Sequence, residues 1–267
     1  MRARIGPAAL ACVMAIALAA CVATPYATEP VAAGQEQASE PPPPLPVYEQ
    51  PPCPEEGYIW TPGLWRWGPE GYFWVPGTWV APPQIGMFWT PGYWALGVGT
   101  IYVFHPGYWG PHVGYYGGIN YGGGYTGYGY AGGRWRDNRF EYNTAVTNVN
   151  TTIVHNVYHE TVINDVHETN VTRVSYVGGP GSRAQPNRVE QTFGHESHTG
   201  YTQPQVQHHD VARTSPMQNA GRNEGRPPVA ATPRPGAFTA PGVTAAKPGG
   251  PAYHPQHPPA HEERPEH

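Results

Sequence analysis

The sequence predicts a mostly β protein with extensive disorder. A small aromatic-rich antiparallel hairpin domain and a β-rich Val/Asn/Thr segment are expected between a disordered N-terminal linker and a disordered C-terminal tail. Three observations predict this. A Trp-x-Pro-Gly-x-Trp motif recurs across residues 57–111, and β-branched residues crowd residues 140–181. Gly and Pro, 34 of each in 267 residues, make about a quarter of the chain, the edge of the low-complexity range. Disordered chains usually lack aromatics. All nine Trp fall between Trp60 and Trp135, so that stretch should have a packing solution.

The motif occurs as Trp60-Thr-Pro-Gly63-Leu-Trp65, Trp74-Val-Pro-Gly77-Thr-Trp79, Trp89-Thr-Pro-Gly92-Tyr-Trp94 and Phe104-His-Pro-Gly107-Tyr-Trp109. The starts lie 14, 15 and 15 residues apart. Pro presets φ at the second position of a turn and Gly accepts positive φ at the third. Each copy is therefore expected to close on itself as a hairpin. Trp60 would face Trp65 across Pro62-Gly63, with Tyr58 facing Trp67 on the same side. Cross-strand aromatic pairs stabilise such sheets. Pro-Gly favours a type II turn, whose twist suits a tight hairpin poorly, so a wider turn or splayed strands stays open. One buried Trp contributes about 4–6 kcal/mol before entropy is subtracted, so a handful can hold a small domain.

These motifs resemble the YXWGXW (WXXGXW) repeat family of bacterial proteins, many of them lipoproteins. The matching positions are Trp60, Gly63, Trp65; Trp74, Gly77, Trp79; Trp89, Gly92, Trp94; and Gly107 with Trp109, Phe104 replacing the expected Trp. The resemblance implies an architecture and an envelope location, but no activity.

The N-terminus carries its own signal. Arg2 and Arg4 precede an apolar run over residues 8–20, the layout of a secretory signal. The run is shorter than the roughly 20 residues that span a bilayer. Leu18-Ala19-Ala20-Cys21 resembles the lipobox of bacterial lipoproteins. That resemblance implies removal of a signal peptide (1–20), a covalent lipid on Cys21 and anchorage in a membrane. Each buried methylene of such a lipid adds about 0.8 kcal/mol to the hold. Val22 follows the cysteine, and by the enterobacterial sorting rule a residue other than Asp there favours the outer membrane over the inner.

Residues 21–56 after the lipid site are Pro-rich, with Pro41 to Pro44 in a row. They are expected to form an extended, disordered tether, partly polyproline II. With Cys12 in the signal and Cys21 lipidated, Cys53 has no intramolecular partner. It is expected to be an unpaired linker thiol, with pairing between chains as the alternative.

Residues 112–139 are Gly/Tyr-rich and expected to be flexible, with tyrosines that either cover the domain or stick to partners. Residues 140–181 are expected to be extended β-structure, a small stack or a stalk. His155, His159 and Glu160 invite a metal reading, but the segment lacks helical character and a third firm ligand, so exposed histidines are expected and no metal or other cofactor. Residues 182–267 hold few large apolar side chains and are expected to be disordered.

Catalysis is not expected. Glu70 is the only carboxylate between residues 57 and 133, and only three Asp occur in the chain. No nucleophile elbow, phosphate loop or paired-cysteine metal motif is present. Lys247 is the only lysine and no basic patch exists, which excludes a nucleic-acid partner. The expected function is a structural or protein-interaction module of the cell envelope, with an envelope protein as partner. The alternative is cell-wall glycan binding by exposed Trp and Tyr.

Overall fold

The computed structural model describes residues 35–162, 173–248 and 252–255. The signal peptide, Cys21 and residues 22–34 lie outside the described residues. In order, the elements are β1 (Gln37–Ala38), β2 (Ile59–Thr61), β3 (Leu64–Gly68), β4 (Gly71–Val75), β5 (Gly77–Val80), β6 (Phe88–Thr90), β7 (Tyr93–Leu96), β8 (Tyr102–His105) and β9 (Tyr108–Gly110). After these come β10 (Asn120–Gly122), β11 (Tyr125–Thr126), β12 (Gly133–Arg136), β13 (Arg139–Asn143), β14 (Val157–Tyr158) and β15 (Tyr176–Val177). Helices α1 (Arg188–Phe193), α2 (Gln203–Thr214) and α3 (Ala220–Asn223) precede β16 (Ala231–Thr232). The described chain is mostly strands with few helices, and aromatic-rich antiparallel hairpins form its centre.

The hairpins differ from the expected ones in which residues pair. No motif closes on itself. Motif one pairs with motif two, and motif three with motif four. Trp60 faces Trp79 and Trp65 faces Trp74, while Tyr72 rather than Tyr58 faces Trp67. In the second pair Trp89 faces Trp109 and Trp94 faces Phe104. The reversals lie elsewhere: at Pro69-Glu70, where Gly71 takes φ +90°, and at residues 97–101, where Gly97 N donates to Ile101 O (2.8 Å).

Each pair of motifs is thus one long ribbon that changes sheet at its two Pro-Gly dipeptides. None of the four motif glycines has positive φ, so their role is not the turn conformation expected of them. It is close approach. A Cβ on Gly63 would stand 2.3 Å from Trp74 Cζ2 and 2.8 Å from the Gly77 nitrogen. On Gly107 it would stand 2.5 Å from Trp89 Cζ2 and 2.7 Å from the Gly92 nitrogen. The two Pro-Gly segments of a ribbon cross with an aromatic ring wedged over each glycine: the indoles of Trp74, Trp60 and Trp89 over Gly63, Gly77 and Gly107, and the Phe104 ring over Gly92.

The ribbons pack side by side, and each contributes half of its length to each of two cores. One core holds Trp60, Trp79, Trp89 and Trp109 with Tyr116, Tyr125, Phe140 and Tyr142. The other holds Trp65, Trp74, Trp94 and Phe104 with Tyr72 and Tyr102. The cross-strand rings meet edge-on or tilted, with centroids 5.0–5.4 Å apart, the geometry that the ring quadrupole favours.

The Gly/Tyr segment is packed, against expectation. Tyr116 and Tyr125 are buried, Tyr115, Tyr121 and Tyr130 are half-buried and Tyr128 is exposed; the hydroxyls of Tyr115, Tyr116, Tyr121 and Tyr125 bond main-chain carbonyls. The Tyr125 hydroxyl lies 3.2 Å from Trp60 O and 2.9 Å from Trp89 O, joining the ribbons, and Tyr121 donates to Gly92 O. Its glycines let the chain pass close to the core: Gly123 takes φ +58°, and a Cβ there would lie 2.6 Å from Trp60 Cδ1. Removing the hydroxyl with Tyr125→Phe is expected to cost about 1–2 kcal/mol by leaving buried carbonyls short of a donor, measurable as a lower urea midpoint with an unchanged slope.

Two further expectations are corrected for the described residues. Residues 35–56 and 182–248 are ordered against the ribbons rather than standing apart as linker and tail. The physical reason lies in the indoles. A buried indole N–H without an acceptor is costly, and a Pro-rich strand offers carbonyls while bringing few N–H groups of its own. Trp65 Nε1 donates to Pro44 O (3.2 Å), Trp79 Nε1 to Pro51 O (2.8 Å) and Trp74 Nε1 to Ala230 O (2.9 Å). β1 adds to β8, and Glu36 pairs with Arg66 (Nε to Oε2, 2.8 Å). Cys53 sits buried beside Val149, its thiol donating to Glu55 O. Burial pushes that thiol up to about 11, and at 1% exposure Cys53 presents no surface in this fold.

The Val/Asn/Thr segment is extended in part. β14 joins β13 in parallel and β15 joins β7 in parallel, so these strands complete sheets of the aromatic domain instead of forming a separate stack. Residues 163–172 of that segment lie outside the described residues. Among the described residues no helix is long and apolar enough to cross a membrane.

Candidate functional site

All seven Trp of the motifs are 2% exposed or less, and so is Phe104. Trp60, Gly63, Trp65, Trp74, Gly77, Trp79, Trp89, Gly92, Trp94, Gly107 and Trp109 are therefore brought together as a structural lattice. Several of their indole nitrogens are spent inside it: Trp94 Nε1 donates to Trp65 O (2.8 Å) and Trp109 Nε1 to Gln205 Oε1 (2.8 Å), whereas Trp89 Nε1 is buried without a partner in the protein. Sugar stacking on these indoles has no exposed face to use. Cys21 lies outside the described residues. His155 and His159 flank β14 in extended chain, where His159 Nδ1 meets Thr144 Oγ1 (3.0 Å) and the His155 N–H donates to Glu56. Among the described residues no group of three or more His, Cys, Asp or Glu is placed to hold a metal ion.

The surface feature of interest lies outside the lattice, at the Pro-Gly crossing of the second ribbon. A cleft of about 350 Å³ is lined by Thr90, Pro91, Tyr93, His105, Pro106 and Tyr108 on the ribbon side. These are the residue before Pro, the Pro and the residue after Gly in motifs three and four. Tyr115 adds to this wall, and Pro186, Glu190, Gln191, Gly194 and His198 face it from the α1 region.

The opposing wall is held by local rules and by docking. Asn187 caps α1 by accepting from the N–H groups of Val189 and Glu190, while Glu190 Oε2 reaches back to the Asn187 N–H (2.9 Å), a capping box. Beyond α1, Thr199 pairs with Trp109 through both main-chain bonds, 2.7 and 2.9 Å. His112 stacks on Phe193 and meets Glu196 at 2.8 Å. Within the cleft Tyr93 stacks on His105 and Tyr108 on His198, with centroids 4.6 and 3.7 Å apart. Glu190 is 4% exposed, and its Oε1 has no hydrogen-bond partner in the protein. Burial raises its pKa, since desolvation disfavours the charged carboxylate.

The first ribbon treats the same positions differently. Thr61, Pro62, Leu64, Pro76 and Thr78 are buried there. The flanking chain meets this crossing from both sides: β16 pairs with Gly77 and Thr78, Thr232 Oγ1 bonds Thr78 Oγ1 (2.9 Å), His208 Nε2 donates to Pro76 O (2.9 Å), and the Gly63 N–H donates to the Tyr48 hydroxyl (3.0 Å). One crossing is filled by the chain itself. At the other, Tyr93, His105 and Tyr108 stay half-buried and Pro106 is exposed.

Sequence reading missed this cleft. The ribbon half had a signal, because Tyr93 and Tyr108 follow the motif glycines where Leu64 and Thr78 stand in the first ribbon. Glu190 had none, lying some eighty residues further along a segment of low hydrophobicity.

The fold and these positions define a class: a β module built of paired Trp-x-x-Gly-x-Trp ribbons clasped by its own flanking chain. Comparison with family models adds the name of the repeat. Residues 57–80 and 86–109 match the WXXGXW repeat, in two copies. Each match takes in two motifs and coincides with one ribbon. Comparisons with curated proteins and with solved structures returned no match.

Proposed function

We propose that this chain is a lipid-anchored lipoprotein of the bacterial cell envelope. Its WXXGXW module would act as a structural or protein-interaction element, without catalysis. The anchor is Cys21, and the outer membrane is the favoured site because Val22 follows it. The observation that carries the module's role is the fate of the repeat indoles: they are used up in two internal cores, which leaves a rigid body whose outer surface does the work. Val98 and Ile101 give the tip of the second ribbon an apolar surface for a protein partner.

Mass spectrometry of the native protein is expected to find Cys21 as an acylated N-terminus, and Cys21→Ala is expected to move the chain out of the membrane fraction. In-cell crosslinking from the 97–101 turn is expected to capture envelope proteins. A chain beginning at Met1 and recovered from the cytosol overturns the reading.

A further inference from the structure

We propose that the cleft over the Pro91 and Pro106 crossing binds a saccharide ring, with Glu190 Oε1 accepting a hydroxyl or amide hydrogen bond from it. Three observations carry this. The first is the internal comparison: the same crossing in the first ribbon is occupied by the chain's own His208 and β16, while the second is lined instead by half-buried aromatic and polar side chains. The second is Glu190. A buried carboxylate oxygen with no protein donor is costly to leave bare. Its partner atom Oε2 is already committed to the capping box, so the orientation of the side chain is fixed and Oε1 is the oxygen left to accept. The third is the chemistry of the walls. Thr90, Tyr108, Gln191 and His198 bring hydroxyl, amide and imidazole groups, set among prolines and aromatic rings; Thr90 Oγ1 already accepts from the Gly114 N–H, Gln191 Nε2 donates to Pro186 O and His198 Nε2 meets Phe193 O, so these groups offer a ligand only their remaining hydrogen-bonding capacity. Tyr93, His105 and Tyr115 complete the wall while engaged in contacts of their own.

A compact cation would use only the carboxylate and the rings. A ring bearing several hydroxyls, with apolar C–H faces, uses every type of group present. The volume, about 350 Å³, lies at the lower end of small-ligand pockets and suits a mono- or disaccharide. Sugar recognition here does not require the lipid anchor, so failure of the envelope reading and failure of this one are separate results.

The test is calorimetric titration of the full chain with two probes, an N-acetylglucosamine disaccharide and the neutral glucose disaccharide cellobiose. Preference for the first points to wall glycan and preference for the second to neutral polysaccharide; either supports the proposal. Gln191→Trp, at an exposed position on the cleft rim, is expected to abolish binding by filling the space. Glu190→Gln keeps the capping box, because Gln also serves there, and is expected to weaken binding about tenfold through loss of a charged acceptor. Both variants should unfold at the wild-type midpoint. Absence of binding to both sugars at millimolar concentration overturns the proposal, as does equal binding by wild type and Gln191→Trp.

Discussion

Gly63→Ala is expected to destabilise this protein severely for a single added methyl, costing about 3 kcal/mol or more. Space decides this rather than conformation. The added Cβ would lie 2.3 Å from Trp74 Cζ2 and 2.8 Å from the Gly77 nitrogen. The indole cannot yield, because Trp74 is fully buried and its Nε1 is bonded to Ala230 O. The backbone cannot yield either, because Gly77 N donates to the same carbonyl (3.1 Å). Gly200→Ala is the control: an added Cβ there meets nothing within 4 Å and the glycine has no positive φ, so its stability should stay within about 0.5 kcal/mol of wild type. Equilibrium urea unfolding of the two variants measures the difference. Equal midpoints would show that the crossing is loose and that the glycines serve some other purpose.

Acid is expected to unclasp the C-terminal segment through His208. This side chain is 2% exposed on α2. Its Nε2 donates to Pro76 O, and its Nδ1 accepts from the Gly236 N–H, both at 2.9 Å; the Phe238 ring packs against it. Only the neutral imidazole can make both bonds, since the charged form donates from each nitrogen. Burial lowers its pKa to about 4. The unfolded chain, with an ordinary pKa near 6.5, takes up its proton first as pH falls. Stability is therefore full above about pH 6.5, declines through the window down to about 4, and is flat below it. The loss amounts to about 3 kcal/mol for this group. His209, also held at about 4 by burial and then by Arg66, adds to the same slope. His208→Gln, which can still donate to Pro76 O and accept from Gly236, should flatten much of the dependence between pH 7 and 4.5. A slope unchanged in that variant would place the acid sensitivity elsewhere.

The parts of the fold legible in sequence are those encoded by periodicity. The four motifs located both ribbons, and clustering of Trp between residues 60 and 135 located the core. The partner of each motif was not legible. Trp60 opposite Trp65 and Trp60 opposite Trp79 satisfy the same alternation of faces, and the choice turns on whether reversal occurs at Pro62-Gly63 or at Pro69-Glu70. Both dipeptides are turn-compatible by composition. What separates them is contact between distant segments, the wedging of Trp74 and Trp60 over opposing glycines. The candidate cleft was half legible for a similar reason: the tyrosines after the motif glycines stand out, whereas Glu190 gains meaning only from what faces it.

By itself, then, the sequence determined the repeat and the aromatic composition of the core, because these follow from side-chain size and spacing along the chain; why glycine stands beside each proline, close approach rather than a turn conformation, came only from the tertiary structure. Tertiary structure alone decided that residues 35–56 and 182–248 belong to the same body. The bonds that hold them run from indole N–H groups to backbone carbonyls of Pro44, Pro51 and Ala230. Every residue carries such a carbonyl, so no pattern of side chains announces which one an indole will find.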